Sequence, residues 1–149
     1  MKRSQRLRQI AEMAGSGEQD AGRDLAAARR QRDGERRQLE QLQEFLGEYR
    51  RRFETAAATG IGAGQLGNFR AFLTNLETSV GQQQAAVVSG DARVASAYQR
   101  WLAAYQRVQA LEKVAANQAV TEVRDQARRE QAQQDDRAGR SMPAQPRSG

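Results

Sequence analysis

An unbroken heptad register is the feature that most restricts what this chain can fold into. Anchored on Leu39, Leu42, Leu46, Tyr49 and Phe53, alternating steps of three and four run back through Glu35, Arg32, Ala28, Leu25, Ala21, Glu18, Ala14 and Ala11 to Leu7. A second register holds Leu73, Leu76, Val80, Gln83, Val87, Gly90, Val94, Ala97, Trp101, Ala104, Val108, Leu111 and Ala115 with the same spacing. Each set lies on one stripe of a helix. Between them Gly60, Gly62, Gly64 and Gly67 make continued helix unfavourable by about 1 kcal/mol each, so the chain is expected to reverse there. Two stripes of similar length joined by a short loop bury each other most simply as an antiparallel hairpin. The expected fold is therefore all-α, a long antiparallel two-helix coiled coil over residues 1–132. Helix 1 covers about 3–57, a glycine-rich turn 58–67 and helix 2 about 68–132, followed by a disordered tail over 133–149.

Composition supports this reading over a globular one. Leu, Ile, Val and Phe make up 24 of 149 residues, too few for an ordinary core, whereas Ala, Glu, Lys, Leu and Arg supply 71, the signature of long helices. Disorder would need a larger net charge than +6. Both prolines, Pro143 and Pro146, fall in the last seven residues, so nothing upstream has to interrupt a helix. The N-terminal third has small or polar seam residues and several glycines, which makes the end carrying both termini the softer one.

The missing residue types remove much chemistry. Without Cys or His there is no thiolate nucleophile, disulfide, imidazole base or ordinary zinc site, and no catalytic residue, metal or cofactor is expected. Gly62-Ala63-Gly64-Gln65-Leu66-Gly67 matches the spacing of a dinucleotide fingerprint, but that motif needs a preceding strand and a parallel sheet, and here a long helix precedes it. The basic segment from Met1 to Gly17 lacks the apolar run of a signal peptide, and no stretch is apolar enough to span a membrane, so a cytosolic protein is expected.

Arginines cluster at Arg29, Arg30, Arg32, Arg36 and Arg37, at Arg50 to Arg52, and at Arg124, Arg128 and Arg129. Specific nucleic-acid binding is disfavoured, because acidic residues are interleaved and no aromatic lies among the outer arginines to stack on bases. Solvated helix faces or an acidic protein partner fit better, with Arg29, Arg32 and Arg36 expected to lie mostly on water. The aromatics are more telling. In an antiparallel pair the g positions of both helices flank the seam on one side. These are Gln38, Phe45 and Arg52 on the first arm, with Phe72 and Ser79 on the second. Phe45 and Phe72 thus emerge together near the loop, beside Tyr49 and Leu76, either as an exposed apolar ribbon or as a widening of a thin core.

Leu39-Glu40-Gln41-Leu42-Gln43-Glu44-Phe45, then Glu48-Tyr49-Arg50, Gly60-Ile61 and Asn68-Phe69-Arg70-Ala71-Phe72-Leu73-Thr74-Asn75-Leu76-Glu77 resemble the flagellar export protein FliJ family, and the likeness extends over Val80 to Gln84 and Trp101. Phe45 and Phe69 stand where tyrosine is common in that family. The resemblance implies a non-enzymatic cytoplasmic component of the flagellar type III export apparatus, peripherally associated with the inner membrane at the flagellar base. It implies binding to the hexameric export ATPase as a stalk, and to the cytoplasmic domain of the export gate and to export chaperones. The family's gate-contact positions match Gln38, Leu42, Phe45, Tyr49, Phe72, Leu76, Ser79 and Gln83, and Arg29, Arg32 and Arg36 are the candidate ATPase contacts. The alternatives are the equivalent stalk protein of a virulence injectisome, or a basic coiled-coil module for nucleic acid or anionic membrane.

Overall fold

The computed structural model describes residues 2–141. It consists of two helices, α1 (Arg3–Thr59) and α2 (Ala63–Ser141), packed against each other as an antiparallel hairpin, as the two registers require. No strand occurs among the described residues. The packing forms two units, one of Gln19–Ala103 and the other of Met1–Glu18 with Ala104–Gly149.

The reversal is tighter than the glycine content suggests. Between α1 and α2 only Gly60, Ile61 and Gly62 lie outside the helices. Gly60 adopts a left-handed φ of 80°, and the Ile61 amide donates to the Ala56 carbonyl at 3.4 Å. That is the glycine-ended cap in which a left-handed residue turns the chain out of the helix. Gly62 then opens α2, its carbonyl accepting from the Leu66 amide at 3.0 Å. Gly64 and Gly67 are helical, because a glycine raises the cost of a helix without forbidding it. The turn expected over 58–67 thus contracts, and α2 starts at Ala63 instead of near residue 68.

The other end of α2 also differs. The helix continues through 133–141, where a disordered tail was expected; 142–149 lie outside the described residues. Residues 126–140 are exposed throughout, so no apolar face is needed, and apolar periodicity reports a packing partner and not helicity itself. Support comes instead from good helix formers and side-chain pairs one turn apart: Gln126 to Glu130 at 3.2 Å, Gln131 to Asp135 at 3.1 Å and Arg140 to Asp136 at 3.1 Å.

Along both helices every seam position from Leu7 to Phe53 and from Leu73 to Ala115 is buried or half-buried. In the unit containing the turn, Leu46, Leu76 and Val80 form a buried cluster against Leu39, Leu42, Tyr49 and Leu73. Further from the turn in that unit, Leu25 and Ala97 are buried and the Trp101 indole lies over Gly22. Between these two apolar stretches the seam is charged. Glu35 receives Arg93 at 2.6 Å, Arg32 reaches Asp33 at 2.9 Å and Asp91 at 3.8 Å, and the Gln83 amide donates to the Glu35 carbonyl at 2.9 Å. Gly90 makes room for this crossing: a Cβ there would collide with the Glu35 carboxylate and press on the Arg32 stem.

In the other unit the buried residues are small, namely Ala11, Val108, Ala115 and Ser4. The seam continues there beyond the apolar pattern through half-buried Gln118, Glu122 and Asp125. Glu122 closes the start of α1, accepting the Ser4 backbone amide at 3.0 Å and the Ser4 hydroxyl at 2.5 Å. A first-turn amide has no partner within its own helix, and a carboxylate at that positive end is favoured twice over. The Gln5 side chain accepts the Lys2 amide at 3.2 Å, completing the cap.

Gly60→Ala should lower stability by about 1 kcal/mol through its left-handed φ, and Gly90→Ala should also destabilise by crowding Glu35. Gly64→Ala and Gly67→Ala, open on all sides, should each stabilise by about 0.5 to 1 kcal/mol. Thermal melts of the four variants check the signs. At the α1 start, the Ser4 hydroxyl and amide hold the Glu122 carboxyl below the ordinary glutamate value of 4.5. A depressed folded-state value means that the contact stabilises the native state above that pH and is lost as pH falls through the folded-state midpoint. A carboxyl ¹³C titration should place the Glu122 midpoint below 4.5, and Ser4→Ala should move it upward; an unmoved midpoint would contradict the contact.

Candidate partner-binding surface

The two flanks of the seam next to the turn differ in chemistry. Position e supplies Arg36 and Arg50 on α1 and Asp91 and Glu77 on α2. These meet as Arg36 to Asp91 at 3.0 Å and Arg50 to Glu77 at 3.1 Å. That flank therefore answers its own charges across the hairpin. All four side chains are about half exposed, so each pair contributes little stability and mainly sets side-chain order.

The opposite flank is aromatic. Phe45 and Phe72 meet edge to face with ring centroids 6.2 Å apart. Tyr49 lies 4.6 Å from Phe72, 6.3 Å from Phe45 and 5.4 Å from Phe69, and Phe69 lies 6.2 Å from Phe53. The five rings make one continuous strip, anchored through Tyr49 on the Leu46, Leu76 and Val80 cluster. Phe45 remains 41% and Phe72 43% exposed. Rings in mutual contact that keep this much surface in water form a preordered apolar patch, the kind of feature that binding partners cover.

The eight residues expected to contact a partner fall into layers. Phe45, Phe72 and Gln38 are exposed, while Leu42, Tyr49, Ser79 and Gln83 are half-buried. Leu76 is 7% exposed and belongs to the core, where it supports the rings from beneath. Gln83 donates to Gln38 at 3.2 Å, closing one end of the strip, and the Ser79 hydroxyl donates to its own helix at the Asn75 carbonyl, 3.1 Å away. Phe53 and Phe69 extend the strip toward the turn. Carrying the second register back from Leu73 through Phe69 to Leu66, both half-buried, finds this extension in the sequence.

The three candidate arginines separate. Arg29 is exposed. Arg36 is held by Asp91. Arg32 does not lie mostly on water as expected: its side chain is 20% exposed and bonded to Asp33 within the charged seam. Its seam position, set between Ala28 and Glu35, explains the burial. Among the described residues no acidic cluster suits a metal ion, and no helix is long and apolar enough to cross a membrane.

This arrangement defines a class: a two-helix antiparallel coiled coil that presents one ion-paired flank and one aromatic flank beside its turn. The chain matches the family model described as flagellar FliJ protein over residues 2–147, and it belongs to that family. It is accordingly a structural component of the flagellar type III export apparatus. No curated protein sequence matches the chain.

Proposed function

We propose that this chain is a non-enzymatic stalk for the hexameric flagellar export ATPase, binding the ring and promoting its activity, and that it also contacts the cytoplasmic domain of the export gate and export chaperones. The gate contact is assigned to the aromatic flank: Gln38, Phe45, Tyr49 and Phe72 supply the surface, Leu42, Ser79 and Gln83 border it and Leu76 supports it. The observation that carries this reading is the exposed edge-to-face pair of Phe45 and Phe72 on the flank opposite the Arg36–Asp91 and Arg50–Glu77 ion pairs. A coiled coil needs no aromatic at a flanking position, whereas an interface gains most of its affinity from such anchors. The ATPase contact is assigned to the basic face carrying Arg29 and Arg36. Arg32 acts there only indirectly, through the seam. The protein works in the cytoplasm, peripheral to the inner membrane at the flagellar base. The flagellar family match favours this setting over an injectisome.

One crossed experiment tests both assignments. The double variant Phe45→Ala with Phe72→Ala should keep its thermal midpoint within several degrees, because neither ring is fully buried. It should bind the purified gate domain at least thirtyfold more weakly, the effect of losing about 2 kcal/mol at an anchor. Stimulation of the cognate ATPase should persist in it. Arg29→Glu should do the reverse, reducing ATPase stimulation most at low salt and leaving gate binding unchanged. A collapsed midpoint in the Phe variant would make the rings core residues; retention of both stability and gate binding would remove the flank from the interface.

A further inference from the structure

We infer that the charged crossing of Arg32 and Glu35 over Gly90 is a register lock, which positions Phe45 against Phe72 by forbidding the two helices to slide by a heptad. Much of the surrounding seam is repetitive. In this unit Ala21, Leu25 and Ala28 precede the crossing and Leu39, Leu42 and Leu46 follow it, against Leu73, Leu76 and Val80 or Val94 and Ala97 on α2. Small and branched aliphatic residues pack in a neighbouring register with little loss, because apolar contact is not directional. The crossing is different. The Glu35 carboxylate takes Arg93 while its backbone carbonyl takes Gln83, Arg32 and Arg36 take Asp91, and the pair passes over the one buried glycine of α2.

Slid by one heptad, Glu35 would face Gln83 or Ala97 in place of Gly90, with side chains where the crossing needs empty space. Slid toward Gln83, its carboxylate, at 16% exposure, would find Ala86 in place of Arg93; slid toward Ala97 it would find Arg100, but Arg32 would find Tyr98 in place of Asp91. A seam charge left without its partner is a well-attested means of rejecting a wrong register.

A lock is required because the turn does not fix the register. A slip lengthens the loop on one side by about seven residues, and Gly64 and Gly67 put weak helix formers into the first two turns of α2, where unwinding is easiest. Glu35, Gly90, Arg93 and Gln83 are thus positioning residues for the aromatic flank, and only the consequence for the gate rests on the proposed function.

The chain has no cysteine, so spin labels at Glu44→Cys and Thr78→Cys, both on exposed positions, report the register by pulsed dipolar spectroscopy. The unmodified seam should give one narrow distance. Arg32→Leu with Glu35→Leu should keep the helicity and add a second population, displaced along the axis by one heptad, about 10.5 Å. Adding Gly64→Ala and Gly67→Ala should shrink that population by stiffening the loop. The swapped pair Glu35→Arg with Arg93→Glu should restore a single distance. One narrow distance in the leucine variant would show that the turn alone sets the register and would overturn the lock. If the leucine variant instead loses helicity, the swapped pair decides, since a broad distribution there also overturns it. Gate binding by the leucine variant should fall in proportion to the displaced fraction. A displaced population with undiminished gate binding would leave the lock standing and remove the gate assignment.

Discussion

The contact between two heptad stripes is what everything else in this protein depends on. Each helix alone is a long amphipathic segment with a narrow apolar face, and packing of such a face supplies most of a helix's stability in a folded protein. Folding back lets each stripe satisfy the other. The antiparallel arrangement then dictates the flanks: e positions face e positions, where Arg36 meets Asp91 and Arg50 meets Glu77, and g positions face g positions, where Phe45 meets Phe72. The aromatic strip is a consequence of the seam and inherits its precision from it.

The seam is not uniform, and its departures from apolar packing are informative. Near the turn, leucine, valine and aromatic side chains form a thick core. Further along α1, Arg32 and Glu35 cross a glycine, and the start of α1 is closed by a serine to glutamate contact in place of an apolar one. Polar seam contacts contribute less stability than leucine would, but they accept only one alignment. A chain with 24 Leu, Ile, Val and Phe residues cannot make every layer apolar. It uses charge and hydrogen bonding to define the layers between.

Nearly all of the fold was legible because heptad spacing is a direct image of the buried face: no seam position from Leu7 to Phe53 or from Leu73 to Ala115 proves exposed. What escaped the sequence reading did so for physical reasons. Gly64 and Gly67 look like loop residues, yet one left-handed glycine suffices to end a helix. Residues 133–141 look unstructured because they bury nothing, although local pairs sustain the helix. Arg32 reads as a surface charge by residue type and as a seam residue by position, and position prevails. The exposed rings of Phe45 and Phe72 were foreseeable from their flanking positions, whereas the added reach through Phe69 and Phe53 needed the register carried two steps closer to the turn.

The central claim is that one intramolecular seam brings Phe45 and Phe72 together on a common flank. The most direct test is a nuclear Overhauser experiment on the full chain with selectively labelled phenylalanine and tyrosine. Ring cross-peaks should connect Phe45 with Phe72 and Tyr49 with both Phe72 and Phe69, and should vanish in an isotope-filtered spectrum of mixed labelled and unlabelled chains, which detects only contacts between molecules. Cross-peaks that appear in the filtered spectrum, or rings of Phe45 and Phe72 with no mutual contact, would contradict the hairpin and the surface built on it.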